Sequence, residues 1–229
     1  MQTTTSIRNR FSNDGNNARE IVPAALRWPA QVISYVFHPL FIPVYVTAFV
    51  IYMYPYLFSG LSERRSFLVL MSVFINLCFL PAFVVFLLWR LKFIGSIMLR
   101  TQKERIIPYV ASLLFYFWTW YVFKNQSDIP PVLVQFALGA FLAVCGAWMA
   151  NIFFKISMHT VAAGGMVCFM LLLAFSGDLH MGFYVSIAIL ATGLIATARL
   201  LVSDHSVFEV YFGLAVGILA QLLAAKIVG

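Results

Sequence analysis

Charge is the scarcest ingredient of this 229-residue chain: Asp, Glu, Lys and Arg together make up 10% of it, where a soluble domain carries about 25%. A chain so poor in charge cannot cover its own surface with polar groups. That excludes a classical cytosolic enzyme and a nucleic-acid-binding domain. Cysteine is nearly absent too. Cys78, Cys145 and Cys168 lie inside apolar stretches without metal-type spacing, which excludes a secreted disulfide scaffold and reads as reduced packing residues. The eight acidic residues form no carboxylate cluster of the kind that holds Mg²⁺, so neither a metal nor a cofactor is expected. There is no internal repeat. The first 27 residues lack the apolar core and small-residue cleavage site of a signal peptide and read as a disordered basic tail, 1–27, ahead of a single transmembrane domain, 28–229.

What remains is apolar. The chain is 62% hydrophobic with 23 Phe and a mean hydropathy of +0.93, and the fold class that fits is an all-α polytopic membrane bundle. A spanning helix needs about 20 apolar residues. The blocks of that kind are Val32–Tyr54, Phe67–Trp89, Ile106–Phe123, Val132–Phe154, Thr160–Phe175, Gly182–Ala198 and Val207–Val228. The third and fifth are short, so the expectation is six or seven transmembrane helices. His38-Pro39, inside the first block, reads as a kink. Asn76 and Asn151 read as interhelical hydrogen-bonding residues.

The net charge of +7 reflects position rather than a taste for nucleic acid. With loops assigned alternately, the tail, the 90–105 loop, Lys155 and the 199–206 turn share one side and carry 11 of the Lys and Arg residues; the other side carries 4, namely Arg64, Arg65, Lys124 and Lys226. The positive-inside rule then predicts a cytoplasmic N-terminus, as expected of an integral protein of a bacterial inner membrane. The partners are the bilayer and a membrane lipid; no nucleic acid is expected.

Ionisable residues at membrane depth are costly and mark function. Three such clusters fall on the basic side by parity: Arg100 to Arg105 with Pro108, Lys155 to Thr160, and Arg199 to Glu209. His205 and Glu209 are four apart at a helix start, so they share a face. A carboxylate on one imidazole nitrogen fixes the tautomer and leaves the other nitrogen free to attack. Arg199 supplies a planar fork for phosphate oxygens, and the helix N-terminus adds unpaired N–H groups. A second reading of Glu209 stays open: with Ser206 it forms an S-x-x-E capping box. His159, behind Lys155 and Ser157 at another helix start, is placed to act as general acid for a leaving alkoxide.

The three clusters resemble the motifs of the type 2 phosphatidic acid phosphatase superfamily of membrane lipid phosphatases. The family's third motif, S-R-x5-H-x3-D, is similar to Ala198-Arg199-x5-His205-x3-Glu209, with Ala for Ser and Glu for Asp. Its second, P-S-G-H, matches Ile156-Ser157-Met158-His159 at Ser and His. Its first, K-x6-R-P, is met only by Arg105, with Pro108 three residues on and Arg100 or Lys103 for the lysine. The likeness covers Arg100 to Glu209. It implies a phosphatase of a lipid phosphate or prenyl (pyro)phosphate working without metal. In that scheme His205 is the nucleophile, Glu209 orients it, His159 is the acid, and Arg199, Arg105, Ser157 and Arg100 bind phosphate. Met158, which stands where the family has glycine, crowds the phosphate and favours the alternative: a protein of this type that binds or transports lipid without turnover.

Overall fold

The computed structural model describes residues 23–58, 60–99, 101–176, 181–202 and 205–228. Helices account for the architecture, with no strand among the described residues. They run α1 Ala24–Val36, α2 Ile42–Met53, α3 Glu63–Arg90, α4 Ile106–Lys124, α5 Pro131–Phe153, α6 Met158–Phe175, α7 Gly182–Val202 and α8 Val207–Val228. Six of these, α3 to α8 (α4 together with the short turn of helix before it), are long and apolar enough to cross a membrane. The protein is a polytopic membrane helical bundle.

The expected first span is corrected. Val32–Tyr54 is not one kinked helix but the end of α1, a turn through 37–41, and α2. The cause is His38-Pro39-Leu40-Phe41-Ile42-Pro43: a residue before proline is driven out of the α region, and Pro39 has no N–H to continue the ladder. Pro43 then sits in the first turn of α2, where a missing N–H costs nothing. At 12 residues, α2 rises about 18 Å, short of a 30 Å hydrocarbon core. Helix α1 also begins inside the stretch read as tail, at Ala24, because Pro23 precedes a run of helix formers; residues 1–22 lie outside the described residues.

The bundle is centred on α5, α6 and α8, with α4 against α5, α7 against α6, α1 against α7, and α2 between α6 and α3. Small residues set this centre. A β-carbon on Gly217 of α8 would collide with the Val161 carbonyl and stand 2.6 Å from the Gly165 nitrogen of α6. One on Gly213 would strike the Thr160 hydroxyl and lie 2.8 Å from the Ser157 carbonyl. Helices in lipid gain little from burying apolar surface against each other, so close backbone approach at such small-residue seams drives their association. Gly139 of α5 makes room in the same way for the buried side chain of Gln221, whose Nε2–H donates to the Phe136 carbonyl at 3.3 Å.

Helix α3 contains a π-helical stretch, Phe74–Phe79, just before Pro81. Widened turns and prolines leave backbone carbonyls without their helical partner. The Tyr116 hydroxyl of α4 donates to the Leu77 carbonyl at 3.2 Å, the kind of neighbouring-helix repair that membrane interiors require. Among the described residues Asn76 makes no hydrogen bond to a neighbouring helix, contrary to expectation. Its amide donates back to Ser72 of its own helix at 2.9 Å.

Candidate functional site

The seam between α6 and α8 determines where the chemistry stands. With Gly213 against Thr160 and Gly217 against Val161, the N-termini of the two helices lie side by side. The Ser157 N–H donates to the Glu209 carbonyl at 3.4 Å. Thr160 returns its hydroxyl to the Ser157 carbonyl at 3.0 Å.

His205 lies just before α8 with its side chain 3% exposed. Its Nδ1 is 3.1 Å from Glu209 Oε2 and 3.0 Å from the Lys155 carbonyl. A carbonyl and a carboxylate can only accept, so Nδ1 carries the proton and Nε2 holds the lone pair. Burial pushes the imidazole below its ordinary value of 6.5; Arg105 and Arg199 push the same way, and the Glu209 hydrogen bond opposes them. The capping reading of Glu209 also holds. Oε2 accepts from the Ser206 N–H at 2.9 Å, and the Ser206 hydroxyl accepts from the Glu209 N–H at 3.3 Å. One carboxylate oxygen therefore caps α8 and holds the histidine.

Arg105 enters from the loop ahead of α4. Its Nε–H donates to Leu99 O at 3.0 Å and its Nη1 to Ile156 O at 2.9 Å, so the guanidinium ties this loop to the segment before α6. The loop is built for that contact. Glu104 accepts from the Gly95 and Thr101 N–H groups, and Leu99 takes a left-handed φ of 47°. Gln102 and Asn151 exchange side chain-to-carbonyl hydrogen bonds at 3.0 and 3.1 Å. Asn151 thus anchors a loop rather than bridging two helices.

On the other side, Arg199 near the end of α7 donates from Nη1 to the Ser34 hydroxyl of α1 at 3.4 Å. His159, in the first turn of α6, lies 3.0 Å from the Ser34 carbonyl through Nε2, so Nε2 is the protonated nitrogen. The ring of His38 meets that of His159 edge to face, centroids 5.4 Å apart at 79°. Arg199 lies close enough to His38 to add to burial in disfavouring its charged form.

The structure thus gathers Arg105, Ser157, His159, Arg199, His205 and Glu209 at one end of the bundle. Ser157 is fully buried, and its hydroxyl has no partner among the described residues. Arg100 lies outside the described residues. Sequence reasoning missed His38 and Ser34. The signal was present: two prolines in five residues, Pro39 and Pro43, break the first span and bring 37–41 to a helix end. No group of three His, Cys, Asp or Glu side chains able to hold a metal ion is found among the described residues. An apolar recess of about 460 Å³ between α4 and α5, lined by Val110, Leu114, Phe117 and Phe141 among others, includes none of the site residues.

Compared with known proteins, the chain matches no family model, no curated protein and no solved structure. The chemistry of the cluster has to be read from its own geometry.

Proposed function

We propose that the protein is an integral-membrane phosphatase of a lipid phosphate or prenyl (pyro)phosphate, acting through a phosphohistidine. The observation that carries this reading is the state of His205. Its Nδ1–H is held by Glu209 and Lys155, which leaves the Nε2 lone pair as the nucleophile in a region where Arg105 and Arg199 supply positive charge. Nucleophile, orienting carboxylate and cationic donors are the parts that phosphoryl transfer needs. The motif likeness to the type 2 phosphatidic acid phosphatases supports the same assignment.

In this scheme Nε2 of His205 attacks phosphorus and the bond to the leaving oxygen breaks. That oxygen takes a proton from Nδ1 of His159, whose Nε2–H stays with the Ser34 carbonyl; the resting ring is neutral at Nδ1, so it first takes up that second proton from the substrate's phosphate or from solvent. Water then attacks phosphorus, the P–N bond breaks, and His159 recovers its proton from the water. The arginines hold the phosphoryl oxygens, and the buried Ser157 hydroxyl is available to do the same. The excess of Lys and Arg on the site's side supports a cytoplasmic site and N-terminus in a bacterial inner membrane.

Phosphate release from phosphatidic acid and from a prenyl diphosphate, measured on the purified protein in detergent with EDTA, tests the proposal. Release that disappears in His205→Ala is expected. Saturable binding of the same lipids with no release in the wild type overturns it and makes the protein a lipid binder or carrier.

A further inference from the structure

We infer that His38 is a positioning residue for His159, the second of two contacts that hold the His159 ring in one orientation. The inference rests on the phosphatase reading for its effect on turnover but not for its geometry.

A histidine ring turns about a broad, roughly two-fold torsion, so a proton-transferring nitrogen points in one direction only if its surroundings insist. The hydrogen bond from His159 Nε2 to the Ser34 carbonyl restrains one edge of the ring. The ring of His38, nearly perpendicular to it, occupies the space a rotating ring would sweep. Both contacts come from a single stretch of chain, the end of α1 and the turn after it.

His38 is itself held in place. Its Nδ1 accepts the Leu40 N–H at 3.4 Å, and its carbonyl accepts the Phe41 N–H at 2.8 Å. The Phe41 ring stands 6.1 Å away at 64°, and Pro39 stiffens the backbone beside it. Burial, with Arg199 nearby, holds His38 below its ordinary 6.5, so at neutral pH it is an uncharged ring. Among the described residues, Arg199 and His159 are titratable groups that act on it or with it, and His205 lies on the far side of His159. A neutral ring in that setting contributes shape rather than charge, and any ring of similar size can replace it.

That last point makes the inference testable. On full-length protein in detergent, His38→Ala is expected to lower kcat for phosphatidic acid by about 10- to 100-fold, the scale on which small misplacements of a catalytic group are felt. The loss should stay below about 3-fold with p-nitrophenyl phosphate, whose leaving group needs little protonation. KM should be unchanged for both, and His38→Phe should restore most of the activity. Equal losses on the two esters, or no rescue by His38→Phe, overturn the inference.

A second arm needs no turnover. Imidazole ¹⁵N spectra should show His159 as a single Nε2–H tautomer in the wild type and in His38→Phe, and as a mixture in His38→Ala. If the wild type releases no phosphate from either ester, the phosphatase reading falls. The spectra then decide the positioning role alone, and an unchanged His159 signal in His38→Ala overturns it.

Discussion

Two charge-assisted contacts stand at opposite ends of the bundle. At one end Arg65 donates to Asp128 at 2.7 Å, with the side chains 37% and 40% exposed. At the other His205 and Glu209 meet at 3.1 Å, with 3% and 15% exposed. Chemically they are cousins. Physically they differ, because water screens the first and has been largely removed from the second. The first staples the start of α3 to the loop before α5, and its aqueous surroundings would do nearly as well for each partner alone. The second holds a proton on a chosen nitrogen in a place where neighbouring arginines are felt. Distance alone would rank the surface pair higher; burial reverses the order.

The comparison is broken most severely by detaching the buried pair from the seam that supports it. Gly217→Leu drives a side chain into the Val161 carbonyl of α6, backbone that cannot move aside. We expect no folded protein in detergent by size-exclusion chromatography. Gly193→Ala in α7, where an added β-carbon meets nothing within 4 Å, should keep or slightly raise thermal stability, since alanine is the better helix former.

Next in size is His205, the proposed nucleophile. His205→Ala should abolish phosphate release while the protein still elutes as the wild type does. Glu209→Gln is milder. An amide oxygen can still cap Ser206, so Tm should hold, but loss of the charge behind His205 should reduce kcat by roughly 10- to 100-fold, as changes to carboxylates that orient histidines do. A Glu209→Gln protein of full activity would make the glutamate a helix cap and nothing more.

The pH dependence is smaller. His205 titrates below 6.5 when folded, so the unfolded chain binds its proton first. The stabilisation is fully present above 6.5 and is lost as pH falls from there towards the lowered folded value. Thermal melts of the wild type should weaken across that window, and His205→Gln should flatten part of the slope. The smallest change belongs to the exposed pair. Arg65→Ala should leave both Tm and activity near wild type, and a larger loss than in Glu209→Gln would invert the ranking drawn from burial.

Much of this was legible in the residues, for reasons that can be named. Helices α3 to α8 follow the apolar blocks closely because a bilayer permits little else that satisfies backbone polar groups. The pairing of His205 with Glu209 follows from their four-residue spacing across the start of α8. The first span was misjudged because average hydropathy over 32–54 hides the local veto of Pro39 and Pro43. His38 was read only as part of a kink for the same reason: with the first span taken as one helix, nothing brought it to a helix end beside His159. The use of Arg105 on Leu99 and Ile156 was hidden as well, since it depends on how the preceding loop folds. Nothing in a linear pattern says that an arginine will spend two donors on its own backbone.

Ser34 offers one carbonyl and one hydroxyl, and the two serve His159 and Arg199. That places part of the site's wall some 170 residues upstream of the histidine read as the nucleophile. A ribosome adding 5–20 residues per second therefore releases the first piece of the cluster about 10 to 30 s before the last. Until α8 is made and seated against α6, the polar ends of α1, α6 and α7 must wait at the membrane surface without the partner that completes them. Whatever chemistry the cluster performs begins only when the final helix is in place, so insertion of α8 is the step that switches it on.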